Sequence, residues 1–325
     1  MPTLPIGGPQ VTVQILLKQP RVIARQLTNL AAKRFVADKI LLPGTPDMVA
    51  GGAVRFQRSE SIFPDRPSEA TALRSNFPRS GWTENIFTTV VTQNGLEVPI
   101  NGLSIRRNQI DQVQRAIVKV ANAVVKYVDG LAMNMIVTDA AVITQAGVSW
   151  STVTNDIIGD IALAQKLIRS QNEGYVPNTL VVHDNELLSM IKNTNLRSAL
   201  PRETSLSNQD HIPVWSGMVA PLLGLEQILV SPNCPSGKAI IIDSTLAGTI
   251  ADEQPDPQEG YIAYDPNEAG GPGADGQFQF SGLLKPIWTR VYEEEQGSDW
   301  IIRGARWPAM WLAEPKAVCV LTGLA

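Results

Sequence analysis

The sequence predicts an α+β chain, and three observations carry that prediction. A helical apolar stripe runs over residues 110–135, the longest periodic segment present. Ahead of it, residues 53–57 and 86–92 read as two β-strands parted by a long, polar, proline-containing insertion. Behind it strand-like segments dominate, and four of the seven tryptophans (Trp288, Trp300, Trp307, Trp311) fall close together.

Taken in order, residues 1–20 read as an extended arm, because Pro2, Pro5, Pro9 and Pro20 oppose helix and residues 11–17 alternate weakly. Residues 21–34 read as a helix with Ile23, Leu27, Leu30 and Ala31 on one face, stopped by Pro43, Gly44 and Pro46. Next, Ala53, Val54 and Phe56 alternate with Arg55 and Gln57, and the β-branched residues 86–92 are the expected return strand. The insertion between them, residues 59–84, holds Pro64, Pro67 and Pro78 and far exceeds the about 2–5 residues of an ordinary hairpin loop. A two-stranded ribbon has no core of its own and is marginal alone. A neighbouring subunit is its expected support.

In the long helix, Ile110, Val113, Ile117, Val120, Val124, Val128, Leu131 and Met135 recur at spacings of three and four. Asp111, Arg115, Lys119, Asn122, Lys126 and Asp129 form the expected solvent face, and Ser104 is the expected cap. A stripe of this length is a structural spine. A second amphipathic helix, capped by Thr154 or Asn155, carries Ile157, Ile161, Ala164 and Ile168 and ends near Gly174. A buried strand at 179–182, a short helix at 185–192 and strands at 227–230 and 239–242 follow. Residues 252–276, acidic and rich in Pro and Gly, read as a surface loop. The end is β again, at 285–294, 299–306 and 317–321, with its tryptophans expected to pack on the spine.

At 325 residues and 44% hydrophobic the chain can bury a sizeable core. Only 18% is charged, against about 25% for an average soluble protein, which suggests surface hidden against partners. The net charge of −4 argues against a free-standing nucleic-acid binder. It conceals a split. Residues 1–130 hold 16 Lys+Arg against 9 Asp+Glu (net +7), and residues 131–325 hold 11 against 22 (net −11). Oppositely charged halves favour contact between copies. Two cysteines cannot staple a chain this long, as expected of a reducing compartment. Neither a signal peptide nor a membrane span is expected.

Enzyme chemistry is not expected. Gly271, Gly273 and Gly276 have dinucleotide-loop spacing, but Pro272 and Asp275 interrupt it and strand-like Phe278 and Phe280 follow where a helix should open. Gly237–Lys238 lacks the first glycine and the hydroxyl of a phosphate loop. His183 beside Asp184 could form an acid–base pair, yet it sits where a strand ends, partly exposed. Glu293, Glu294 and Glu295 alternate faces on a strand and cannot converge on a metal. No catalytic residue, cofactor or metal site is expected.

The order of elements is arm, short helix, extended β-loop, spine helix, α/β region and β-ribbon. Together with the stretches 52–63 with Arg66, 106–129, 174–182 and 223–243, it resembles the major capsid proteins of tailed bacteriophages, those of actinobacterial siphophages in particular. The resemblance implies a Hong Kong 97-like capsid fold. Residues 1–45 would be the N-terminal arm and 46–100 the extended loop. Residues 101–139 would be the spine helix of the peripheral domain, 140–280 mainly the axial domain, and 281–325 a β-ribbon returning to the peripheral domain. The implied function is self-assembly of pentamers and hexamers into the icosahedral head around double-stranded DNA. An encapsulin-type shell holding cargo enzyme is the alternative. Arg55, Arg58, Arg66, Arg74 and Arg79 are the inter-subunit contact candidates. The implied partners are a separate scaffolding protein (residues 1–50 are too few for a fused one), a portal protein, a cement protein and non-specifically packaged DNA, with no membrane. Assembly would occur in the host bacterial cytoplasm and the product would be the virion capsid. In the family's type member a lysine of the extended loop joins an asparagine of a neighbour through an isopeptide bond. Here no lysine lies between Lys39 and Lys119, so no such bond is expected. A guanidinium stays protonated and cannot attack an amide.

Overall fold

The computed structural model describes residues 13–49, 51–58, 70–71, 76–77, 79, 85–171, 173–199, 219–264, 287–294 and 299–325. Its axis is the spine helix Ile110–Asp139, 30 residues and about 45 Å long at 1.5 Å per residue. That length lets one stripe serve two cores. Val113, Ile117, Val120 and Ala121 pack with Val13, Leu17, Ile23 and Leu27 of two N-terminal helices (Val13–Leu17 and Pro20–Ala32) and with Ile100 and Ile302. Val124, Val128, Met133 and Ile136 belong to the larger core around a five-stranded sheet. The helix is long and apolar enough to cross a bilayer by composition. Its exposed face, however, carries Arg115, Lys119 and Lys126 while the other is buried in protein. It is a core helix.

The five-stranded sheet runs Val142–Gln145, Val318–Thr322, Lys238–Ile242, Thr179–Val182, Gln227–Val230, with its three middle strands almost wholly buried. Helix Ile157–Arg169 covers it through Ile157, Ile161, Ala164 and Ile168. A three-stranded antiparallel sheet, Trp288–Glu293, Trp300–Arg306 and Asn94–Ile100, lies on the first half of the spine. Contact there is so close that a Cβ on Gly304 would overlap the Val120 Cγ1 methyl. A third sheet joins Leu42–Pro43, Gly248–Asp252 and Pro308–Leu312.

Several expectations need correction. Residues 13–17 are helical, not extended, and residues 1–12 lie outside the described residues. Ser104 does not cap the spine. Asn101 instead accepts the Leu103 N–H at 2.8 Å and opens a separate short helix, Gly102–Arg106. Asn108, at φ 55°, then turns the chain into the spine. The second helix is capped by Asp156, which accepts the Gly159 N–H at 2.9 Å, not by Thr154 or Asn155. Strands Gly248–Asp252 and Pro308–Leu312 were not expected; the second is buried on both faces, so it shows no alternation. Only Trp300 packs with the spine cluster. Trp288 and Trp307 cluster with Ala305, and Trp311 packs with Val49, Val54 and Ala309. The C-terminal region divides among all three sheets, and its last strand, Val318–Thr322, runs through the middle of the five-stranded one. Cys234 and Cys319 are free and buried, and burial pushes both thiols up to about 12.

Candidate assembly interface

The ribbon rests on its own chain along one surface and leaves the other exposed. Gly51 and Gly52, at φ 109° and 79°, supply a left-handed turn open to glycine. Strand Ala53–Arg58 then pairs antiparallel with Asn85–Val90, Phe56 facing Phe87 and Arg55 facing Thr88. Opposed residues share a face, so the register sorts the ribbon into two surfaces.

One surface bears Val54, Phe56 and Arg58 with Phe87 and Thr89, and rests on the body. The Phe56 ring stacks on Phe87 at 5.8 Å and on Trp311 at 5.9 Å. Thr89 Oγ1 donates to the Met310 carbonyl at 3.2 Å, and the Thr92 N–H donates to the Pro308 carbonyl at 3.1 Å. Arg58 lies over the Phe87 ring at 4.4 Å and pairs with Asp139, the last residue of the spine, at 2.6 Å. Both side chains of that pair are partly exposed, so it positions the ribbon more than it stabilises the fold.

The opposite surface bears Ala53, Arg55, Gln57, Ile86, Thr88 and Val90. Ile86 and Val90 are 63% and 66% exposed. Arg55 is exposed with no ion-pair partner among the described residues. Of the five candidate arginines, then, Arg55 and Arg79 are exposed and Arg58 is engaged within its own chain. Arg66 and Arg74 lie outside the described residues.

At the ribbon's root, a cavity of about 320 Å³ is lined by Gly52, Val91, Gln93, Trp307 and the carboxylates Glu253, Asp256 and Glu259. Beneath the root is a buried ionic network. Arg306, with no exposed surface, donates from Nε to Asp252 at 2.9 Å and from Nη1 and Nη2 to Asp38 at 3.0 and 2.7 Å. Its guanidinium stacks on the Phe35 ring at 4.6 Å. Burial works against its charge, but Asp252 and Asp38 more than offset that and push its pKa up. Asp129, assigned above to the solvent face, is only 1% exposed. It accepts the Val36 N–H at 3.1 Å and the Ala37 N–H at 2.9 Å. Helical spacing alone could not show this, because a long-range backbone partner carries no sequence period.

His183 Nδ1 accepts the Asn185 N–H at 3.2 Å and caps helix Asp184–Lys192. The glycines 271, 273 and 276 lie outside the described residues. Among the described residues no cluster of three or more His, Cys, Asp or Glu is arranged to hold a metal ion.

A sequence profile of the phage capsid protein family matches residues 84–320. No curated protein sequence matches the chain. Among solved structures, the virus-like particle of Pyrococcus furiosus is similar with a TM-score of 0.56 and 13% identity, over 94% of this chain and 98% of that one. The capsid of cyanophage P-SCSP1u gives 0.57 at 10% identity, over 87% and 86%. Mycobacterium phage Che8 gives 0.55 at 10%, over 88% and 90%. At such identities the likeness establishes the fold, and the family match, spanning well over half the chain, establishes the kinship. The chain belongs to the phage capsid protein family: it is a structural protein of the virion capsid with the Hong Kong 97-like fold, and not an enzyme.

Proposed function

We propose that copies of this chain join as pentamers and hexamers into an icosahedral head that encloses double-stranded DNA. The observation that carries this reading is the ribbon: held at its root, it turns a surface with exposed Ile86, Val90 and Arg55 away from its own body. Such a surface gains burial only from another subunit. In this reading residues 1–45 are the arm, 46–100 the loop laid on a neighbour, 101–139 with 281–325 the peripheral domain, and 140–280 mainly the axial domain. Arg55 and Arg79, with Arg66 and Arg74, meet acidic surface of the neighbour, in keeping with the opposite net charges of the two halves. Scaffolding, portal and cement proteins are separate partners, and assembly takes place in the bacterial cytoplasm. Electron microscopy of the protein, expressed alone or with its scaffold, should show closed uniform shells. Packaged DNA separates a phage head from a cargo-holding compartment, and a stable monomer at high concentration by ultracentrifugation would overturn the reading.

The shell should lack the isopeptide cross-link. The reaction requires a deprotonated amine on the loop, and that interval contains arginine as its only basic residue. Mature particles boiled in detergent should run at the subunit mass, 35.2 kDa. A ladder of covalent oligomers resistant to reducing agent would refute this.

A further inference from the structure

Eight of the 16 Lys+Arg of residues 1–130 lie on one helical surface. Helix Pro20–Ala32 and the first half of the spine run side by side on the three-stranded sheet, the former over Trp288–Glu293 and the latter over Trp300–Arg306 and Asn94–Ile100. Each helix buries one face and turns the other to solvent. Residues 18–34 hold five Lys+Arg and residues 112–126 hold three, and neither stretch contains an Asp or Glu. All eight cations are exposed. They follow the helical period. Arg21, Arg25, Asn29 and Lys33 recur every four residues, and Arg115, Lys119, Asn122 and Lys126 at spacings of four and three. Arg34 Nη1 donates to Asn122 Oδ1 across the two helices, so the two stripes form one surface. Carboxylates of the adjoining segments stand outside it. Asp111 lies one turn ahead of Arg115, and Asp299 accepts the Gly102 N–H at 2.9 Å, ahead of the spine. Asp38 and Asp129 are taken up by the buried network.

We propose that this helical face lies against the phosphate backbone of the packaged duplex and so forms the inner wall of the head. The assignment rests on the reading of the chain as a subunit of a DNA-filled head. Cations gathered on one face repel one another and gain from a polyanion. From Arg115 to Lys126 the spine rises about 17 Å, a length over which duplex DNA presents about ten phosphate charges. A protein partner would need a different surface, because the cores of protein interfaces are enriched in aromatic residues and depleted in lysine. In these two stretches the exposed large apolar residues are Val22 and Val118, each only 37% exposed. Contacts to phosphate carry no sequence information, so any duplex is accepted. The overall charge of −4 does not oppose this. Exposed charges more than about 10 Å apart are largely screened at 0.1 M salt, so a phosphate on this face meets its cations and not the acidic second half.

The test titrates a fluorescent duplex of about 30 base pairs with the unassembled full chain, by anisotropy between about 50 and 200 mM salt. Log affinity should fall linearly with log salt. Arg21→Gln, Lys33→Gln, Arg115→Gln and Lys119→Gln combined should lower the slope by about 3 and weaken binding at least about tenfold at 0.1 M salt. A charge-matched control replaces exposed cations of three other helices: Lys166→Gln, Arg169→Gln, Lys192→Gln and Arg197→Gln. It should leave the slope unchanged. Closed empty shells should bind added duplex far more weakly than the unassembled chain, because the face is then enclosed. The proposal is overturned if the parent chain shows no salt-dependent binding, if the control loses as much as the face variant, or if closed shells bind as well as the unassembled chain. Tighter binding of poly-glutamate than of duplex also overturns it and assigns the face to an acidic protein. If the combined variant does not fold, Lys119→Gln alone decides: the slope should fall by about 1, and an unchanged slope overturns the proposal. Electron microscopy of the same preparations keeps the two claims apart. Shells from a chain that does not bind the duplex refute the inner-wall face alone. Duplex binding through these residues by a chain that forms no shells refutes the head reading alone.

Discussion

Replacing Arg306 with leucine is expected to destabilise the fold by about 3–5 kcal/mol, the usual cost of removing one partner from a buried ionic network. The guanidinium has no exposed surface and is the direct partner of both Asp38 and Asp252, each about 9% exposed. Its loss takes the guanidinium away from two buried carboxylates, with Asp129 as a third nearby. It also empties the space over the Phe35 ring. The difference should appear in the urea midpoint of the full chain with little change in slope. Replacing Asp38 and Asp252 by leucine as well should recover much of the loss, because a whole network exchanged for apolar side chains is often near neutral. A loss under about 1 kcal/mol for the single variant would show that the carboxylates find other partners or water.

Trp311→Ala is expected to cost about 3–5 kcal/mol, as other large aromatic truncations in a core do. It should also abolish or sharply reduce shell formation. Trp311 is 6% exposed and forms the floor on which Phe56 stacks, with Val49, Val54 and Ala309 around it. Its removal leaves a cavity under the aromatic stack on which the ribbon rests. The ribbon should then be cleaved faster by protease than in the parent chain, in addition to the lower melting temperature. Normal shells at normal yield would mean that the ribbon is oriented by its neighbour alone.

Much of the architecture is legible in local pattern. The spine is written in its three-and-four spacing, and the residues so marked, from Val113 to Val128, are the ones found buried. The strands at 179–182 and 227–230 lie where their short apolar runs place them. Both ribbon strands also appear, at Ala53–Arg58 and Asn85–Val90. Other features had no local signal. Pro308–Leu312 is buried on both faces and begins with proline, so nothing marks it as a strand until Gly248–Asp252 lies beside it. Ser104 has the right chemistry for a cap, yet the backbone breaks at Asn108 and the spine begins after it.

The candidate contact residues divide in the same way. That a basic loop should exist was plain from composition. That Arg58 is spent on Asp139 and Phe87, while Arg55 is exposed on the other surface, depends on strand register and on where the spine ends. By itself the sequence determined the periodic elements, their order, the opposite charge of the two halves and the absence of lysine from the loop. These are properties of neighbouring residues or of counts. Only the tertiary structure decided which charges are buried and with whom. Arg306 and Asp38 meet across 268 positions, and Val36 and Asp129 across 93. Pairings at such separations leave no period in the chain, because burial and partnership are fixed by how helices and sheets pack.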